Sequence, residues 1–338
     1  MRHYLAAALA ALVAGCDFTP VLDIATPAFE PALVLSGVLA ADSTVEVSIT
    51  AAIDPYGTNP IDRGTDDVSG GVPDGLTAEI LRDGVSLGAL RRVSRPCSSD
   101  PYSNARPDPP LCETMVSDVV TEAGGHYTVR AQAPGFPQAQ ATVAVPERVA
   151  VSLTRGASQT TGPRTDTDLT VAFQDPPAPG QRYALMVVSG AFSFESRVVG
   201  LCLNDDCTQR RDTTFTYTYD RRPLGYTTTD PILLAGARTI PSTGINFVTF
   251  PDDSFNGQHH AFQVRARQFQ YPGQRDPAPI AGAWVVSIDD RTFGAYQIDW
   301  FSLGDENPLQ EPVSLPSNVE GGYGLLGAVA IAEALLDF

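Results

Sequence analysis

The sequence predicts an all-β protein made of two β-sandwich-like domains. Three observations lead there. Short runs alternate apolar and polar residues, turn residues fill nearly every gap between them, and the body is poor in helix formers while carrying 29 Gly and 28 Pro. Alternation at period two marks strands with one buried face, and frequent turns between short strands mark sandwiches and barrels. At 338 residues the chain is long enough for two cores of ordinary size.

The elements follow in order. Residues 30–154 form the first expected domain, of immunoglobulin or transthyretin type. Leu33 to Leu39 reads as a buried strand, and Val45, Val47 and Ile49 alternate with polar neighbours in a half-exposed one. Thr77 to Arg82 and Val85 to Arg91 flank Asp83-Gly84, the strongest short hairpin signal in the chain. Gly125 to Ala133 and Ala139 to Val145 are joined by the turn Pro134-Gly135-Phe136-Pro137. Residues 155–167 are rich in Ser, Thr and Gly and show no apolar face, so they read as a linker. Residues 168–338 form the second, β-rich domain. Its strands are read at Leu169 to Phe173, Tyr183 to Val188, Thr213 to Tyr219, Phe262 to Ala266 and Trp284 to Ile288. Phe293, Tyr296 and Trp300, three and four apart, predict one short helix ending near Gly304.

The N-terminus carries an address. Arg2 and His3 precede an Ala- and Leu-rich run from Tyr4 to Val13, and Leu12-Val13-Ala14-Gly15-Cys16 follows. This is a secretory signal over residues 1–15, too short to remain as a membrane span. Small residues directly before a cysteine resemble the lipobox of bacterial lipoproteins, in which the thiol of the residue matching Cys16 is lipidated. Two or three acyl chains, at about 0.8 kcal/mol per buried CH₂, anchor such a protein stably. Residues 16–29, with Pro20 and Pro27, read as a tether between lipid and domain.

Net charge is −17, and every fixed cation is an arginine; there is no lysine. Such a surface repels nucleic-acid phosphates and argues against an electrostatic grip on anionic lipid. With Cys16 assigned to lipid, Cys97, Cys112, Cys202 and Cys207 remain, and four cysteines allow three connectivities. The local pairs are favoured. Cys202 and Cys207 flank a turn-rich tetrapeptide, and a Cys97–Cys112 bridge would close a proline-rich loop, contributing roughly 3 kcal/mol in the chain-entropy model. An even count fits an oxidising compartment, and the spacings do not match a zinc ribbon.

No catalytic constellation stands out, so no enzyme, cofactor or metal is expected. There is no Gly-x-Ser-x-Gly motif. His126 begins a strand. His259 and His260 are adjacent on another and therefore face opposite ways, which disfavours joint ligation despite nearby Asp252, Asp253 and Asn256. The acidic loops with Asp62, Asp66, Asp67 and with Asn204-Asp205-Asp206 lack the spacing of an EF-hand and read as solvated. Phe215, Tyr217, Tyr219 and Tyr226 with Arg221 and Arg222 would suit a sugar or peptide platform, but one face of a sheet packing into the core is the favoured reading.

Several segments together resemble a known family. Leu33-Val34-Leu35-Ser36-Gly37-Val38-Leu39 followed by Asp42-Ser43-Thr44, then Ala133-Pro134-Gly135-Phe136, then Asp175-Pro176-Pro177, are similar in order and spacing to domain-of-unknown-function family 4249. Glu311-Pro312-Val313 and Ser317-Asn318-Val319-Glu320-Gly321-Gly322-Tyr323-Gly324-Leu325-Leu326-Gly327-Ala328 are the most specific part. The tail Ala328 to Phe338 departs from the family's polar alternation. The resemblance implies a lipid-anchored protein of the Gram-negative outer membrane, often encoded beside TonB-dependent transporters, and carries over no functional residues. The expected role is a non-enzymatic binding or accessory module partnering such a transporter in nutrient capture. The alternative is a structural or adhesive envelope lipoprotein.

Overall fold

Eighteen strands and two short helices are present among the described residues of the computed structural model, which are 30–52, 71–96, 111–202, 210–219, 221–236, 247–269, 279–297 and 317–336. All these elements belong to one unit, Pro31–Ile53 with Asp66–Phe338. The all-β class read from the sequence is the class of the structure.

Period-two alternation places the first strands. In β1 (Leu33–Ala40) and β2 (Thr44–Ala51), Leu33, Leu35, Leu39, Val45, Val47 and Ile49 are buried while Ser36, Thr44 and Glu46 are exposed. Asp83 and Gly84, both at positive φ, turn β3 (Thr77–Arg82) into β4 (Val85–Pro96). This is the backbone that a two-residue hairpin matched to strand twist requires. Then come β5 (Leu111–Val120), β6 (His126–Gln132) and β7 (Ala139–Ala144), the last two joined through Gly135, also at positive φ.

Residues 155–167 correct the expectation of a linker. They lie in β8 (Ala150–Thr161) and β9 (Arg164–Gln174), an antiparallel hairpin with a bulge between Arg155 and Ser158. The sequence lacks an apolar face there because β8 is exposed along nearly its whole length, not because strand pairing is absent. Onward run β10 (Arg182–Ser189), β11 (Phe192–Cys202), β12 (Arg210–Tyr219), β13 (Pro223–Thr228), α1 (Pro231–Gly236), β14 (Val248–Pro251), β15 (His259–Phe269) and β16 (Ile280–Ile288). After these come α2 (Asp290–Gln297), β17 (Val319–Glu320) and β18 (Gly322–Leu335). The predicted helix around Phe293 is α2; Trp300 and Gly304 lie outside the described residues. The six-residue α1 was not expected, and its start is set by Asp230, whose Oδ1 accepts from the backbone of Ile232 at 2.9 Å.

One mixed sheet of sixteen strands holds both halves, in the order β17-β7-β6-β3-β4-β5-β2-β1-β18-β16-β10-β13-β15-β9-β8, with β14 on β10. Among the described residues three buried clusters pack against it, two of them large and a small one around Ala184, Val286 and Ile288. The first draws on Leu33 through Val145, and on Leu326, Ala328 and Ala330 of β18. The second runs from Val149 through Val285 and takes Ala332 of the same strand. Thus the Ala- and Leu-rich tail pairs in parallel with β1 and antiparallel with β16.

Candidate functional surface

Most candidate residues from the sequence resolve into structural roles. His259 is exposed at the start of β15 and His260 is half-buried, on opposite faces as expected. The His260 ring packs against Phe255 at 4.8 Å and Phe262 at 4.4 Å, with Asp230 Oδ2 at 3.8 Å from Nε2. Asp252 is spent on backbone: its two oxygens accept from the N–H groups of Gly180 and Gln181 at 3.2 and 3.0 Å. Among the described residues no three His, Cys, Asp or Glu side chains gather in a way that could hold a metal ion. No described helix is long and apolar enough to cross a membrane. His126 is exposed at the start of β6.

Of the cysteines, Cys112 lies in β5 opposite Arg95 of β4 and is disulfide-bonded. Cys202 ends β11 opposite Arg210. Cys16, Cys97 and Cys207 lie outside the described residues, as do Asp62, Asp66, Asp67 and Asn204-Asp205-Asp206.

A buried polar knot was not legible in the sequence. Asp175, 1% exposed in the β9–β10 turn, accepts from the Tyr183 hydroxyl at 2.5 Å and from the Gly257 backbone at 2.6 Å. One carboxylate therefore ties the β9–β10 turn to the β14–β15 turn beneath the aromatic cluster of Phe173, Tyr183, Phe250 and Phe255. The signal Asp-Pro-Pro reads as a surface turn, and only the tertiary packing turns its carboxylate inward.

Burial, reinforced by Asp175, pushes the Tyr183 phenol far above the ordinary tyrosine range, and burial alone does the same for Tyr226. Both are raised in the folded state, so their contribution is complete below the unfolded tyrosine pKa of about 10 and is lost as pH rises beyond it. Stability is expected to fall by about 1.4 kcal/mol per pH unit per buried tyrosine above about pH 10. Urea unfolding between pH 9 and pH 11 checks this (about one to two units around the tyrosine range). Tyr226→Phe should flatten the fall, and an unchanged slope would contradict the assignment.

The aromatic group from the sequence divides. Tyr226 is fully buried in the second core, its hydroxyl donating to the Leu185 carbonyl at 3.2 Å. Phe215, Tyr217 and Tyr219 are not in that core. They lie half-buried on β12, which among the described residues pairs with β11 in a two-stranded ribbon separate from the large sheet. Strand alternation gathers them on one ribbon face, with Phe192 opposite Tyr219. Tyr217 and Tyr219 have nearly parallel rings 6.4 Å apart, Phe192 sits 5.4 Å from Tyr219, and the Arg222 guanidinium lies 4.7 Å over the Tyr219 ring. The other face exposes Ser193, Glu195, Arg197, Thr214, Thr216 and Thr218. At the ribbon's base, Arg221 at positive φ pairs with Glu333 of β18 at 3.1 Å, and Glu333 also accepts from Trp284 at 3.0 Å. Planar aromatic rings beside a guanidinium can take flat apolar or sugar faces and hydrogen-bond acceptors.

No family model, no curated protein and no solved structure matches this chain. The resemblance to family 4249 is therefore carried forward as a proposal, and the ribbon stands on its own geometry.

Elsewhere a polar cleft of about 320 Å³ is lined by Gln140, Thr142, Arg291, Ser317, Asn318, Val319 and Glu320. Much of its lining is internally committed. Gln140 donates to Glu320 at 2.8 Å, Thr142 bonds Thr128, and Asn318 clasps both backbone groups of Leu326 at 2.8 and 2.9 Å. The cleft thus splices β17 to β7 and β18, whereas the ribbon aromatics, while contacting one another and Arg222, are grouped on one face of a strand pair outside the large sheet.

Proposed function

We propose that this chain is a lipid-anchored, non-enzymatic binding module of the Gram-negative outer membrane, accessory to a TonB-dependent transporter in nutrient capture. The observation that carries the binding role is the β11–β12 ribbon, which leaves the main sheet and groups Phe215, Tyr217 and Tyr219 with Arg222. The anchor rests on Leu12-Val13-Ala14-Gly15-Cys16, and the partner class on the resemblance of the C-terminal motif. Within this reading Cys97 pairs with Cys112 and Cys202 with Cys207, the second bridge stapling the end of the ribbon, which non-reducing peptide mapping would establish.

The test is recovery of the native, lipidated protein from gently solubilised outer membranes, with co-purifying proteins identified. A stoichiometric transporter barrel is expected. Recovery alone, or with envelope scaffold proteins, would sink the accessory role and favour the structural or adhesive one. The double substitution Tyr217→Ser and Tyr219→Ser is expected to reduce barrel recovery at least tenfold, on the order of 1.4 kcal/mol or more, as removal of interface aromatics does. Because both rings also pack within the ribbon, Tyr217→Phe with Tyr219→Phe, which keeps that packing, is the matched control and should retain barrel recovery.

A further inference from the structure

The last strand of the chain occupies the middle of its sheet. β18 is the parallel neighbour of β1, the first strand, over Gly322–Val329, and the antiparallel neighbour of β16 over Val329–Leu335. In the strand order of the described residues it is the link between the β1 side and the β16 side. Its side chains serve both interiors: Leu326, Ala328 and Ala330 are buried in the first core and Ala332 in the second. The two-residue β17 just before it covers β7, pairing Val319 with Ala141 and Glu320 with Gln140. Asn318 then locks the approach by clasping Leu326 through both backbone groups. Asp289 does the same from the other half, accepting from the Ala328 N–H at 2.5 Å.

Without this terminal segment, β1 and β16 are both sheet edges and each core has lost part of its wall. We propose that β18 is the closing strand of the whole molecule: neither half reaches native packing until the C-terminal strand docks between β1 and β16. The N-terminal half, though complete in sequence by Val145 except for this strand, does not fold ahead of the rest. The reason is topological. Parallel pairing of the first described strand with the last closes a loop of nearly the whole chain, an entropic cost that must be met before either core is rewarded. A chain made from its N-terminus therefore stays unpacked until its end is available. The inference stands on topology and burial, independently of the anchor and of any transporter.

Refolding of the unmodified full chain, followed by pulsed hydrogen exchange and mass spectrometry, tests it. Amides of β1 to β7 and of β10 to β16 are expected to become protected together, with rates within about a factor of two, as in one cooperative step. Protection of β1 to β7 about tenfold or more ahead of β10 to β16 would overturn the proposal. Ala330→Asp in the full chain adds an equilibrium reading. Ala330 is buried in the first core yet lies opposite Ser287 of β16. Loss of exchange protection in both halves is expected. Native protection retained by either half of that variant would overturn the proposal as well.

Discussion

Gly327→Val is expected to lower stability by about 2–4 kcal/mol, because it overpacks a buried site and disturbs a helix cap. Gly327 sits on β18 opposite Val38, and a Cβ there would run into the hydroxyl of Thr292, with Thr292 Cβ at 3.1 Å and Cγ2 at 3.4 Å. Thr292 is 3% exposed and cannot simply swing away. Its hydroxyl bonds Asp289 and lies 3.1 Å from the Ala328 N–H, while Asp289 Oδ1 caps α2 through the N–H groups of Arg291 and Thr292 at 3.0 and 3.2 Å. Displacing it thus strains the strand and strips the helix cap together. Urea unfolding monitored by far-ultraviolet circular dichroism measures the loss. Gly294→Ala is the matched control. Gly294 lies inside α2 with nothing within 4 Å of an added Cβ, so alanine there should stabilise by about 0.5–1 kcal/mol. Equal effects at the two glycines would contradict the packing described here.

Asp175→Ala carries the other large effect, about 3–4 kcal/mol of destabilisation. It leaves the fully buried Tyr183 hydroxyl without its acceptor, at about 1–3 kcal/mol, and takes away the charged acceptor of the part-buried Gly257 N–H that ties the two turns together. Asp175→Asn keeps one acceptor oxygen and should cost less than alanine. Tyr183→Phe removes the other end of the bond, and the double variant should lose less than the sum of the singles by about 1–2 kcal/mol. Additive losses would show that the two groups act separately and would refute the knot.

Much of the fold was legible because alternation reports which face of a strand is buried. Val45, Val47 and Ile49, or Phe262 and Val264, announce both strand and inward face, and Asp83-Gly84 announces its turn through the positive φ that both residues tolerate. Residues 155–167 read as a linker because a hairpin exposed along one strand has no apolar face to report. The ribbon was legible as strand but not as surface. Phe215, Tyr217, Tyr219 and Tyr226 look alike in sequence, yet only Tyr226 enters the core, since burial depends on what lies across the strand.

By itself, then, the sequence determined the all-β class, the strand faces, the tight turns and the acidic, lysine-free surface, all of them properties of neighbouring residues or of composition. The tertiary structure decided the rest: the sixteen-stranded sheet that joins both halves, the inward turn of Asp175, and the place of β18 between β1 and β16. Each of these depends on partners far apart in the chain. β18 in particular is built from small residues, Gly324, Gly327, Ala328, Ala330 and Ala332, whose periodicity is nearly silent in sequence. Their smallness is a demand made by neighbouring strands and by Thr292, and such a demand exists only once those neighbours are in place.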